Sequence, residues 1–294
     1  MATTHSPETL TLQGNGLSLT GDYWAGNGDA SRPTLIFLHG GGQTRHSWDS
    51  TAGSLAQQGW SSYTVDLRGH GDSGWSEDGT YAIEDYAADT VALMRSLGAA
   101  RPVLVGASMG GLASLTAQSD HPDLARALVL VDIVPRTSTE GVKRITQFMV
   151  GHSDGFANLE EVADAIAEYT GRERRLNPEG LQKNVRLRAD GRWYWHWDPR
   201  MMQPGPQSEG RAPDADALLE RASRIEVPTL IVRGGKSDVI DEAGVKELEG
   251  VLRRPYSTVV NDARHMIAGD DNKSFASAVD AFLNDVVLSP AGDA

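Results

Sequence analysis

Short apolar runs recur along the chain, at residues 34–38, 62–66, 103–106, 127–131, 229–233 and 256–260. Gly, Pro and Asp bound them, and Val, Leu and Ile fill them, as in strands buried on both faces. Longer amphipathic stretches separate them, at 48–58, 83–97, 110–119, 242–252 and 272–287. Their apolar spacing predicts helices. Strand alternating with helix predicts an α/β fold with a mostly parallel, doubly wound sheet flanked by helices. Residues 9–12 and 17–24, across Gly14-Asn15-Gly16, predict an antiparallel hairpin at one sheet edge.

The alternation stops between about Pro135 and Pro213. There the pattern is helical, at 142–150, 159–169 and 177–188, with no strong strand. Acidic and basic residues nearly balance in this stretch, so nearly all of the chain's net charge of −13 lies outside it. The division expected is a core of residues 1–134 and 214–294 and a helical cap of 135–213, inserted after the strand that follows the 110–119 helix. The insert holds three of the seven tryptophans, Trp193, Trp195 and Trp197. In an extended segment their alternation turns all three to one face. That face is either an aromatic wall over a substrate or the insert's own core.

The acidic balance argues against partners with phosphate backbones or anionic membrane surfaces. With no cysteine in its 294 residues, the chain has no disulfides, thiolate metal sites or cysteine nucleophile. A cytoplasmic location is expected. The first ten residues predict no secretory leader, and no apolar run predicts a membrane span.

The pattern G-x-S-x-G occurs twice, at Gly106–Gly110 around Ser108 and at Gly151–Gly155 around Ser153. Only Ser108 follows a strand signal and precedes a helix, the sharp turn that exposes a nucleophile. A serine needs a base. Of eight histidines, His265 alone follows the last strand signal. His39, closing a strand, and His70, in a Gly-rich turn, read as structural. The acid that orients the base is taken as Asp238, beyond the 229–233 strand, with Asp132 as the rival; the order Ser, Asp, His admits both. Oxyanion donors are expected from the backbone of Gly41, in His39-Gly40-Gly41-Gly42-Gln43, and of Met109. Gly42, Trp193, Trp195, Trp197 and Met266 are expected to touch substrate. The glycine run lacks the Lys-Ser/Thr of a phosphate loop.

These motifs, with Asp66-Leu67-Arg68-Gly69-His70-Gly71-Asp72-Ser73, fall in an order that resembles the α/β-hydrolase fold superfamily, in its cap-bearing serine esterase branch, over nearly the whole chain. Epoxide hydrolases and dehalogenases of that branch use an aspartate nucleophile where this chain has Ser108. Carbon–carbon hydrolases carry a Ser-Gly-Pro loop where this chain has Gly41-Gly42-Gln43. The resemblance therefore implies a carboxylic-ester hydrolase that acts on small or medium, partly apolar esters through an acyl-enzyme, with no metal or organic cofactor. Lactone or amide hydrolysis, perhydrolysis on the same triad, and a hydrolase-fold receptor are the alternatives.

Overall fold

The computed structural model describes residues 6–289 other than 30, 99–100, 172, 175–176, 204–213, 266 and 268–271. The chain opens with strands β1 (Glu8–Gln13) and β2 (Ser18–Trp24), followed by β3 (Leu35–Leu38), helix α1 (Asp49–Gln57) and β4 (Ser62–Asp66). Next come α2 (Ile83–Leu97), β5 (Val103–Ala107), α3 (Met109–Asp120) and β6 (Ala127–Val131). Among the described residues these strands join β9 (Thr229–Gly234) and β10 (Pro255–Val260) in one eight-stranded sheet, ordered β1-β2-β4-β3-β5-β6-β9-β10. Only the β1–β2 and β2–β4 pairs are antiparallel, so the expected edge hairpin and parallel body are both present.

The apolar runs are continuous because both faces are covered. In β3, Leu35 and Phe37 face one core while Ile36 and Leu38 face the other. In β6, Ala127, Val129 and Val131 face the first and Leu128 and Leu130 the second. Helix α1 packs with α8 (Asn272–Phe282) on one side of the sheet, and α2 packs with α3 on the other. Trp48, Trp60 and Phe275 fill the first core, and all three are fully buried. Each such ring contributes several kcal/mol of transfer free energy. Two further helices, α6 (Ala215–Ser223) and α7 (Glu242–Glu249), flank β9 in sequence. Among the described residues no helix is long and apolar enough to cross a membrane.

Between β6 and α6 the chain forms α4 (Thr139–Val150), α5 (Leu159–Thr170), short 3-10 turns and a hairpin of β7 (Val185–Leu187) with β8 (Trp193–Trp195). Side-chain caps start both helices: Ser138 Oγ accepts from the Gly141 amide and Asn158 Oδ1 from that of Glu161. The helix expected over 177–188 is instead a 3-10 turn, Glu179–Asn184, running into β7. Helix α6 was not expected.

Candidate active site

Strand β5 ends at Ala107 and α3 begins at Met109, leaving Ser108 alone to make the turn. Its backbone sits at φ 46° and ψ −114°, a conformation that costs a non-glycine residue about 1–3 kcal/mol and persists only where packing imposes it. Small neighbours make that packing. A Cβ on Gly106 would strike the Gly110 carbonyl, and one on Gly110 would strike that of Leu38. The Ser108 amide donates to Val131 O at 3.0 Å, tying the turn to β6.

The neighbouring strand ends in the same way. Asp132 follows β6 with φ 52°, and its amide donates to Val232 O at 2.8 Å. Its carboxylate is buried and fully engaged. Oδ1 accepts from the Gly234 amide at 3.0 Å, and Oδ2 accepts from Ser237 Oγ at 2.6 Å. His265 Nδ1 donates to the same Oδ2 at 2.6 Å. The carboxylate thus fixes the imidazole's orientation and tautomer.

This corrects the expectation for Asp238. Its carboxylate turns outward and pairs with Arg144 of α4, both partly exposed. The reason is packing: α4 lies so close that a Cβ on Gly141 would be 2.6 Å from Asp238 O. The loop after β9 does reach the site, but through Ser237 and the Gly234 amide.

The glycine loop after β3 is held from behind. The Gly40 amide donates to Gln43 Oε1 at 3.0 Å, and the Gly42 amide to His70 Nε2 at 3.2 Å. The Gly41 amide stands between these two committed neighbours. Met109 opens α3, where a first-turn amide has no partner within the helix. Gly42 adopts φ 72°. The loop's continuation is anchored by Arg45, which donates to Asp22 at 3.0 Å, to Asp66 at 2.5 Å and to Asp72 at 2.8 Å.

That network accounts for the segment 66–73. Asp66 holds Arg45, Arg68 forks onto Asp89 at 2.6 and 2.7 Å, and Ser73 Oγ donates to Asp66 O at 2.6 Å. Three buried histidines pack against one another behind the loop. His39 and His70 ring centroids are 5.0 Å apart, and those of His70 and His196 are 5.8 Å apart. Burial pushes His39 down to about 4 and His70 down to about 3, the latter helped by repulsion from His39. His196 is lowered by burial and then by the other two rings. All three are neutral acceptors of backbone N–H groups, from Leu67, Gly42 and Gly71. The structural reading of His39 and His70 fits this arrangement.

Ser108, Met109, Gly41, Gly42 and His265 all line one cavity of about 200 Å³. Its roof comes from the insert. Ile145, Phe148 and Met149 of α4 and Ile166, Tyr169 and Thr170 of α5 face it, each set at the i, i+3, i+4 spacing of one helix face. That spacing was readable in the sequence. Gln43, Ser47 and Asn184 add polar groups to the lining.

The tryptophans divide. Trp195 lines the cavity, whereas Trp197 lines a neighbouring one. Trp193 lines neither of these two cavities; its backbone pairs with Phe156 at 2.7 and 2.9 Å. Trp195 and Trp197 stack, with centroids 4.8 Å apart and planes 11° apart. Ser153 is exposed. Met266 lies outside the described residues.

Known proteins resemble this chain as follows. The family described as alpha/beta hydrolase fold matches residues 33–271. The esterase Rv0045c of Mycobacterium tuberculosis is 31% identical over 285 residues, covering 95% of this chain and 90% of that protein. Its solved structure superposes with a TM-score of 0.74 over 95% of this chain and 92% of that one, at 27% identity. The mouse sn-1-specific diacylglycerol lipase ABHD11 is 28% identical, covering 87% and 83% of the two chains. An E-2-(acetamidomethylene)succinate hydrolase, at 22% identity, shares the fold with a TM-score of 0.80 over 95% of this chain and 100% of that one.

Proposed function

Because the chain belongs to the alpha/beta hydrolase fold family, we propose that it is a serine hydrolase of carboxylic esters, acting through an acyl-enzyme. The observation that carries this reading is the pairing of His265 Nδ1 with buried Asp132 at 2.6 Å. Its imidazole lines the same cavity as the serine of the strained turn. Ser108 Oγ attacks the ester carbonyl carbon while His265 Nε2 takes the hydroxyl proton. The Gly41 and Met109 amides receive the oxyanion, which is where preorganised donors act most strongly. When the tetrahedral species collapses, the C–O bond to the alcohol breaks and His265 returns its proton to the leaving oxygen. Water then repeats the sequence on the acyl-enzyme and releases the acid. Asp132 stabilises the imidazolium in both halves. No step needs a metal or an organic cofactor.

Residues 135–213 act as the lid in this reading. Ile145, Phe148, Ile166 and Trp195 shape a small, mostly apolar pocket, which suits a small or medium ester with an apolar portion. The esterase and lipase names of the relatives support ester chemistry.

The test is covalent. A fluorophosphonate probe should add its mass to the peptide bearing Ser108 and not to the one bearing Ser153. The Ser108→Ala protein should take up no probe and lose p-nitrophenyl acetate hydrolysis by several orders of magnitude. Undiminished labelling of Ser108→Ala would overturn the assignment.

A further inference from the structure

A second cavity, of about 260 Å³, lies behind the catalytic one inside the insert. Met149 and Trp195 line both, so these two side chains are the wall between them. Its lining also includes buried Trp197, half-buried Met202, and Val150, Pro199 and Ser153, which are exposed and mark where it opens to solvent. Neither space alone, at about 200 and 260 Å³, reaches the roughly 300–1,000 Å³ of ordinary ligand pockets. Joined, they fall within it.

The two wall residues differ in freedom. Trp195 is clamped by Phe148, Phe156 and Trp197, whose ring centroids lie at 5.1, 4.9 and 4.8 Å. Met149 is equally buried, but the bond it takes from Trp197 Nε1–H, at 3.3 Å, falls on its backbone carbonyl and not on its thioether. An unbranched thioether with three rotatable bonds repacks at little cost. Its sulfur also lies against the glycine loop, 3.6 Å from where a Cβ of Gly41 would stand. Rotation of Met149 therefore opens the wall beside the proposed oxyanion donors.

We propose that Met149 is a gate and that the second cavity receives the distal hydrocarbon end of the ester's acyl chain. The substrate class is then an ester of an unbranched, medium-length acid, with its carbonyl at Ser108 and its chain threaded past Met149. This rests on the esterase reading above. Trp195 fixes one side of the passage, and Met149 decides how far a chain penetrates.

The experiment compares kcat/KM for p-nitrophenyl acetate and decanoate. The Met149→Ala protein should raise the decanoate-to-acetate ratio by at least about tenfold, the scale of discrimination carried by a methylene or two. Ser153→Trp places a ring in the mouth of the second cavity from the solvent side. In the Met149→Ala/Ser153→Trp double variant the gain should disappear. If the gain survives there, the chain does not enter the second cavity and the proposal is wrong.

Binding of 1-octanol to Ser108→Ala, followed by titration calorimetry, reads the cavity without turnover. Adding Met149→Ala should tighten it about tenfold, and adding Ser153→Trp to that pair should reverse the gain. Equal affinity in all three overturns the gate. Absence of turnover on every ester, with these affinities as expected, would overturn the esterase reading and leave the cavity assignment standing.

Discussion

Replacing Asp132 by Asn removes a charge while keeping the side chain's shape. Oδ1 can still accept from the Gly234 amide at 3.0 Å. The other position, which now accepts from both Ser237 Oγ and His265 Nδ1 at 2.6 Å, becomes an NH₂ donor. Two donors cannot face a third, so His265 must offer a bare Nδ1 and carry its proton on Nε2. That tautomer cannot take the proton of Ser108. In the serine-protease template the same change costs about 10⁴ in turnover, equivalent to about 5.4 kcal/mol of barrier at 1.36 kcal/mol per decade. Asp238→Asn removes only an ion pair to Arg144 in which both partners are at least a third exposed, worth about 0–1 kcal/mol of stability. We expect Asp132→Asn to lower kcat for p-nitrophenyl acetate by 10³–10⁴. Asp238→Asn should change it by less than about threefold, as the loss of a partly exposed ion pair should. Turnover at saturating substrate, measured beside the melting temperature, separates chemistry from folding. If Asp238→Asn is the more damaged of the two while both remain folded, the acid has been misassigned.

Acid should destabilise the fold through the buried histidines. His39 and His70 are lowered to about 4 and about 3, so the unfolded chain binds more protons below its histidine value of about 6.5. Stability is then complete above that value and is lost as pH falls towards 4 and 3, by roughly 2 kcal/mol per histidine at pH 5. Urea midpoints at pH 7 and pH 5 measure this; His196→Gln should show a shallower loss, and an unchanged slope would contradict it. Arg45→Met leaves Asp22 and Asp66 buried, with side chains 3% and 0% exposed, and without their cation. It should cost about 3–5 kcal/mol, read by denaturant unfolding, and a loss below about 1 kcal/mol would mean that the network is dispensable.

The turn at Ser108 was legible because everything that makes it is local: a strand signal, small residues at Gly106 and Gly110, and a helix after. The eight-stranded sheet was legible for the same reason, since continuous apolar runs have few other uses. The acid was not. Asp132 and Asp238 both follow parallel strands and both precede His265 in sequence. What separates them is that β6 lies beside β5, and that α4 crowds the backbone at Asp238. Neither fact is local. The β7–β8 hairpin had a signal that the helical reading overrode, Asp190-Gly191 between alternating apolar residues. The cavity's roof was half legible. The faces of α4 and α5 repeat at helical spacing, but their destination depends on how the insert folds back.

Ser108 and Asp132 each stand one residue past the end of adjacent parallel strands, joined by a single crossover through α3. The proposed nucleophile and acid therefore travel together on one short β-α-β piece of chain, whereas the proposed base arrives from beyond the insert. A polypeptide severed anywhere between β6 and β9 would divide the reaction unequally. The leading fragment would own the proposed attacking atom, its carboxylate and the glycine loop, and the trailing fragment the proposed proton carrier with the Gly234 and Ser237 donors that hold the carboxylate. Each is chemically mute alone, so catalysis in a mixture of the two would count reassembled molecules one by one. The architecture that serves a hydrolase also makes it a natural reporter of reunion between two pieces.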